Sequence, residues 1–261
     1  MVGSISGLPM VTVITVVFNG KAHIEDTLLS VLGQTYPNLE YIVIDGGSTD
    51  GTVDIIQKYQ ANLAYWHTEK DGGIYDAMNK GLAKAMGHWV NFMNAGDTFY
   101  AAETVAEVFA SMPQGATVIY GSVEILYSDL SRIERPGSPA RLWQGMQFSH
   151  QAAFIDTKYH QAHPYDVTNT IAADLAFFYQ AYQAQVIFLA NEKVIAKVIT
   201  GGVSEVNRIK TILASRDAIC VGRSLPLIRL YFYGRVISSM LRSMAKRCLP
   251  RAIVKKLILF K

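Results

Sequence analysis

The chain is poor in cysteine, in long apolar runs and in acid near its C-terminus, and each shortage removes a class of explanation. Cys220 and Cys248 are the only cysteines in 261 residues. Their spacing suits neither a zinc site nor a disulfide framework, so a reducing, cytosolic setting is expected. No uncharged stretch reaches the roughly 18 apolar residues that a spanning helix needs. The nearest, 175–191, is interrupted by Gln180, Gln183 and Gln185. The opening MVGSISGLPMVTVITVVF lacks a basic leader, and its short β-branched run reads as a first strand rather than a targeting peptide. Phosphate-binding glycine patterns are missing as well: VVFNGKAHIE stands after the first strand in place of G-x-G-x-x-G, and no G-x-x-x-x-G-K-[ST] occurs. Dinucleotide and P-loop readings lose their main support.

What is present is globular: half the residues are apolar and 17% charged. That length and composition predict one α/β domain with a C-terminal appendage. The net charge of +3 hides a separation, with 11 Lys/Arg against 20 Asp/Glu in 1–207 and 13 Lys/Arg against Asp217 alone in 208–261. A tail so basic is expected to meet an anionic surface.

Strand and helix patterns alternate from the start. MVTVITVVF (10–18) is β-branched and almost uncharged, as a strand covered on both faces should be. HIEDTLLSVLGQ is a predicted helix, PNLEYIVIDGG a strand, TVDIIQKYQ a helix and LAYWHTE a strand. GIYDAMNKGLAKAMG is a helix stopped at Gly87, and HWVNFMN a fourth strand. The alternation predicts a mostly parallel sheet. After residue 112 the rhythm changes: ATVIYGSVEILY reads as paired strands around Gly121, 130–147 as irregular, QFSHQAAFI as a strand, AADLAFFYQAYQA as a helix and QVIFLANEKVIAKV as one or two strands. Residues 205–219 and 224–247 read as helices.

Ligands of open parallel sheets bind outside the carboxyl ends of the strands. Polar clusters stand there: Asn19-Gly20, Asp45-Gly46-Gly47-Ser48-Thr49-Asp50-Gly51 and Asn94-Ala95-Gly96-Asp97. Acid-bearing loops on one sheet edge suit a nucleotide and a divalent cation. Asp50 is explained by helix capping alone, whereas Asp45, a strand-terminal acid before Gly-Gly, has no capping duty. His23, His67, His88, His160 and His163 form no metal-ligand spacing, and Trp66, Trp89 and Trp143 read as core.

The ordered stretches VTVITVVFNG…LLSVLGQTYPNLEYIVIDGGSTDGT, EKDGGIYDAMNKGLAKAMGHWVNFMNAGD, SHQAAFI and AADLAFFYQ resemble the family 2 glycosyltransferases over residues 10–190, in particular those that build bacterial capsule, O-antigen or exopolysaccharide. The resemblance implies a GT-A fold in 1–204, with a nucleotide-sugar half to about 112 and an acceptor half from about 113, followed by a helical segment 205–261. It implies an inverting transferase that uses a nucleotide-diphosphate sugar, UDP-linked, with Mn²⁺ or Mg²⁺. Val17, Phe18, Asn19, Asp45 and Asp71 would hold the nucleotide. Asp76, Asn79, Asn94, Ala95 and Gly96 would face the diphosphate and sugar, Asp97 the metal. An asparagine at 94 stands where the family commonly has an acid. Asp174 matches the family's general base, and His150 and Gln151 its site-lining His-Gln pair. The acceptor implied is a saccharide on a polyprenyl diphosphate in the cytoplasmic leaflet. The rivals are a nucleotide-sugar-binding scaffold that has lost catalysis and a nucleotidyltransferase.

The tail fits that setting. SLPLIRLYFYGRVISSMLRSMAKRCLP places Leu227, Tyr231, Ile237, Leu241 and Met244 on one helical face with arginines around it, and RAIVKKLILFK repeats the theme. For 224–247 an interfacial membrane helix and a packing helix with a basic edge stand equal. For 251–261 the membrane reading is preferred, which would make the protein peripheral on the inner face of the cell membrane. The apolar density argues against nucleic acid, and oligomeric state is left open.

Overall fold

The computed structural model describes residues 7–110, 115–128, 130–200, 208–221 and 225–248. The predicted membrane-associating stretch 251–261 lies outside them.

The first half follows the expected alternation. Strand β1 (Val11–Val17) leads through α1 (Ile24–Leu32) to β2 (Leu39–Asp45), and α2 (Thr52–Tyr59) to β3 (Tyr65–Thr68). Helix α3 (Ile74–Leu82) then precedes β4 (Trp89–Phe92), β5 (Thr98–Phe99) and α4 (Thr104–Val108). The second half holds β6 (Val118–Leu126), β7 (Ser131–Glu134), β8 (Ala153–Asp156), α5 (Thr157–Ala162), α6 (Ala173–Gln183) and β9 (Phe188–Ile199). Helices α7 (Arg208–Cys220) and α8 (Pro226–Cys248) close the described chain.

The nine strands among the described residues belong to one sheet in the order β3-β2-β1-β4-β8-β6-β9-β5, with β7 on the flank of β6. Pairing is parallel across β3, β2, β1 and β4 and again between β6 and β9; β8 enters antiparallel between β4 and β6. The sheet is therefore continuous from the first half into the second.

Strand β1 shows why its sequence needs cover on both sides. Val11, Val13 and Val17 pack with α1 and α2, while Ile14 and Val16 pack with α3 and the α6 layer. Every residue of β1 is buried. Alternate side chains enter opposite apolar layers, each full burial contributing roughly 1.5–3 kcal/mol.

Four local expectations needed correction. The stretch 130–147, expected to be irregular, opens with β7 paired antiparallel to β6 and continues through a 3₁₀ helix at Pro139–Gln144. ATVIYGSVEILY is one strand, β6, that continues through Gly121 with a shift of register against β9, and a Cβ at 121 would come within 2.7 Å of Ile195 on that strand. The glycine permits close approach and makes no turn. Helix α3 ends at Leu82, five residues before Gly87. Only the end of QFSHQAAFI is strand, because His150–Ala152 forms a 3₁₀ turn first.

Candidate active site

The carboxyl ends of β1, β2 and β4 converge as expected. Backbone pairing runs past the strands, with Gly46 N–H donating to Val17 O at 2.8 Å and Ala95 N–H to Val16 O at 3.2 Å. These loops form one wall of a cleft of about 1110 Å³, and β6, the 134–151 segment and the start of α6 form the other.

Val17, Phe18, Asp71, Asn94, Ala95, Gly96, Asp97, His150, Gln151 and Asp174 all line this cleft. Phe18 presents a ring that is 64% exposed. The carboxylate of Asp71 lies over the bare Cα of Gly46, where a Cβ would come within 2.5 Å of Oδ2.

Asn19, which is exposed, and Asp45, which is buried, are not among the residues that line the cleft. Asn19 adopts φ 50°, a left-handed conformation that asparagine tolerates. Its N–H donates to Ser48 Oγ at 2.7 Å, and its Oδ1 accepts from Thr49 N–H at 2.9 Å, which pins the glycine-rich loop to β1. Asp45 is fully buried, and its Oδ2 accepts from the N–H groups of Gly47 and Ser48 and from the Thr68 hydroxyl. Its Oδ1 is buried without a hydrogen-bond partner.

Asp76 and Asn79 are not brought into the cleft. Asp76 Oδ2 accepts from Gly72 N–H at 2.9 Å and pairs with Lys80 Nζ at 3.2 Å. Asn79 clamps the backbone of Tyr165, donating to its carbonyl at 2.8 Å and accepting from its N–H at 3.0 Å. The phase of α3 explains the error, since Ile74, Tyr75, Ala77 and Met78 are the residues of α3 that line the cavity. Positions 76 and 79 fall beside that stripe on a helix of 100° per residue.

Two of the carboxylates on the cleft, Asp97 and Asp174, experience opposite electrostatics. Asp97 is 7% exposed, and burial pushes its pKa up to about 6. The Gln151 amide, the nearby His150 and the Ile199 N–H oppose that rise without cancelling it. Gln151 Nε2 donates to Asp97 Oδ2 at 2.6 Å, and Gln151 Oε1 in turn accepts from the Ser149 hydroxyl. Gly96, at φ +100°, makes the left-handed bend that turns Asp97 back toward α1, where Thr27 Oγ1 bonds both Gly96 N–H and Asp97 O.

Asp174 lies in the first turn of α6, its side chain 15% exposed. Burial works to raise its pKa, but His150, the Leu175 N–H and the Tyr75 hydroxyl outweigh it and the net direction is down. Asp174 Oδ1 accepts from Tyr75 OH at 3.0 Å and Leu175 N–H at 2.8 Å; Oδ2 faces His150 Nδ1 at 3.3 Å. On the other side of the ring, His150 Nε2 meets Asn94 Nδ2 at 3.0 Å. One acid is thus held ionised while the other resists ionisation, the divergence expected of carboxylates with different tasks.

Tyr75 and Ser149 were missed in the sequence, and the His150–Gln151 pair proves to be structurally central. Nothing in spacing could link Tyr75 to Asp174, 99 residues away.

For a cation, the donor set is thin: among the described residues no group of three or more His, Cys, Asp or Glu converges on a point. Asp97 alone offers a carboxylate whose burial would be relieved by positive charge. That fits Mn²⁺ or Mg²⁺ held by one carboxylate together with ligand oxygens and water, not a closed protein cage.

Residues 12–186 match the model of glycosyl transferase family 2. A PGL/p-HBAD biosynthesis glycosyltransferase of Mycobacterium bovis is 34% identical over 175 residues, covering 65% of this chain and 68% of the relative. Among solved structures, Staphylococcus aureus TarS 1–349 in complex with UDP-GlcNAc superposes with a TM-score of 0.65 at 17% identity, over 83% of this chain and 68% of that one. A mannosyltransferase from Pyrobaculum calidifontis in complex with GDP-Man and Mn²⁺ gives 0.63 at 19% identity, over 88% and 70%. At such identities the likeness shows a shared architecture, the mixed α/β GT-A fold.

Proposed function

The chain belongs to glycosyl transferase family 2 and is a glycosyltransferase, and on that premise we propose that it transfers a sugar, with inversion, from a UDP-sugar to a hydroxyl of a lipid-linked saccharide. The observation that carries the reading is the pair of carboxylates, Asp97 and Asp174, on one cleft at the strand ends with pKa values driven apart.

In this reading the nucleotide lies against Phe18 and Asp71 over the glycine-rich loop. The unpartnered Oδ1 of Asp45 beneath it is an acceptor left for a nucleobase N–H. Asn94, Ala95 and Gly96 face the diphosphate and sugar, and Asp97 would hold the cation, with Gln151 moving off its Oδ2. When bound, Mn²⁺ or Mg²⁺ supplies positive charge against the diphosphate leaving group. The TarS and mannosyltransferase complexes, with UDP-GlcNAc and with GDP-Man and Mn²⁺, support a donor and a metal of these kinds. Asp174 takes the proton of the acceptor hydroxyl as its oxygen bonds to the anomeric carbon, and the bond to the phosphate breaks with its electron pair leaving on the diphosphate. At the start of α6 the helix dipole favours the ionised carboxylate this step needs.

Membrane association belongs to the same reading. Among the described residues no helix is long and apolar enough to cross a membrane. Helix α8 buries Phe232 but exposes Leu227, Leu230, Tyr233, Ile237 and Leu241, a stripe recurring every three to four residues beside the exposed Arg229. Such a face suits an anionic interface, roughly 1 kcal/mol per basic residue near the surface. Tyr231, placed on that stripe by the sequence, instead packs inward against Trp143, ring centres 5.2 Å apart. The acceptor would then be met on the inner leaflet, and the M. bovis relative, a biosynthesis glycosyltransferase by name, is in keeping with assembly of a lipid- or polymer-linked glycan.

The test is a panel of UDP-, GDP- and dTDP-sugars with Mn²⁺, read as nucleotide diphosphate released and sugar transferred. Turnover of a UDP-sugar supports the reading. Nucleotide binding with no turnover of any donor would favour a scaffold that has lost catalysis.

A further inference from the structure

We propose that His150 is a positioning residue for the base, aiming Oδ2 of Asp174 at the acceptor hydroxyl and tying that aim to Asn94 at the donor end of the cleft. The inference rests on the transferase reading above and names the oxygen that takes the proton.

Two donors already occupy Asp174 Oδ1, the Tyr75 hydroxyl and the Leu175 N–H. Oδ2 has His150 Nδ1 at a long 3.3 Å, so a lone pair remains for an incoming hydroxyl. An amide nitrogen only donates, so Asn94 Nδ2 at 3.0 Å makes His150 Nε2 the acceptor. The ring proton then sits on Nδ1 and is directed at Asp174. Asn94 therefore selects the tautomer, and the tautomer sets the carboxylate.

The backbone reinforces this arrangement. His150 rides on the 3₁₀ turn His150–Ala152. Asn91, buried within β4, donates from Nδ2 to the carbonyls of Gln151 and Ala153 at 2.9 Å each. The turn is thus pinned to the same strand whose end carries Asn94. Asn94 Oδ1 is buried without a partner, so the His150 contact is what holds that amide among the described residues. An unpartnered buried acceptor typically costs about 1–3 kcal/mol, which a hydroxyl of the arriving sugar would relieve. Donor binding and base alignment would then be joined through one imidazole.

The experiment compares His150→Ala, His150→Asn, Asn94→Ala and the Asn94→Ala/His150→Ala double variant. Asparagine at 150 can place an N–H near the Nδ1 position. Misplacing a reacting group by about 1 Å can cost on the order of a hundredfold in rate. His150→Ala should therefore lower kcat about tenfold to a hundredfold, while the affinity for UDP, which carries no sugar hydroxyl to meet Asn94, stays unchanged. His150→Asn should recover most of that loss, and the double variant should be no slower than His150→Ala. An unchanged kcat in His150→Ala, an Asn variant as slow as Ala, or losses that simply multiply would each overturn the proposal. A second measurement needs no turnover: ¹⁵N histidine spectra should show His150, assigned by the signal missing in His150→Asn, protonated on Nδ1 and bare on Nε2. A proton on Nε2 instead sinks the proposal. A wild-type protein with the expected tautomer that transfers no sugar sinks the transferase reading, and with it the role given to Oδ2.

Discussion

Replacing Asp97 by asparagine should stabilise the metal-free protein while it destroys activity. The folded environment lifts this carboxyl from an ordinary 3.8 to about 6, chiefly through burial. At 1.36 kcal/mol per pH unit that rise corresponds to a destabilisation of about 3 kcal/mol when the group is ionised. The sign follows from the direction: a raised carboxyl pKa leaves stability intact below pH 3.8, erodes it as pH climbs toward about 6, and holds the full loss above. Asparagine carries no charge, so it escapes the loss and keeps an oxygen for the Gln151 amide. It can lose the second acceptor that serves the Ile199 N–H, at about 1 kcal/mol. The net gain at pH 7.5 is about 2 kcal/mol, or roughly 4–8 °C in Tm for a chain of this size. Melting curves of chelated wild-type and Asp97→Asn protein between pH 4 and pH 8 read it directly. The difference should shrink through zero at about pH 4.5 and reverse below it, where only the lost acceptor counts. A variant no more stable than wild type at pH 7.5, or a gain that ignores pH, would refute the account of Asp97 as a buried acid awaiting a cation.

Other outcomes follow from the same geometry. Asp174→Asn should lower kcat by about 10²–10⁴-fold, the usual share of a general base, with UDP affinity by calorimetry unchanged; undiminished transfer would remove Asp174 as the base. Chelation should abolish turnover, and the Mn²⁺ needed for half-maximal rate should rise as pH falls through about 6, because proton and metal compete for Asp97. A flat metal requirement across that range would count against Asp97 as the ligand. Truncation after Leu225 should shift the protein from pellet to supernatant in co-sedimentation with anionic vesicles, and pelleting unchanged by truncation would refute anchoring by α8 and the residues after it.

The parts of this protein that its sequence revealed are those governed by local rules. The uncharged β-branched run at 10–18, the Gly-Gly turn after Asp45 and the strand ending at Asn94 each carry their own signal, so the sheet edge and its acids could be placed. Gly121 misled because a glycine in a strand marks either a turn or a close approach, and only the partner strand decides. Asp76 and Asn79 misled because a motif gives order along the chain but not the phase of the helix that carries it. Tyr75, Gln151 and Asn91 act through bonds to residues 99, 54 and 60 positions away, a separation that leaves no trace in spacing. Tyr231 belongs to the expected amphipathic face by periodicity alone, yet the tertiary packing of Trp143 claims it.

Helix α8 is bolted to the segment that leads into the 146–151 wall of the cleft. Arg235 Nη1 donates to Gln144 O at 2.5 Å and lies 2.9 Å from where a Cβ on Gly145 would stand, and Tyr231 packs on Trp143 next to it. The segment they grip runs directly into Met146–Gln151, the floor on which Asp174 is aligned. Were α8 to rest on a bilayer as proposed, the height of the reacting atoms above the lipid headgroups would become a fixed dimension of the protein. On the proposed anchoring, a glycan would be extended only if its growing end reached that height, and the enzyme would select by length as well as by chemistry.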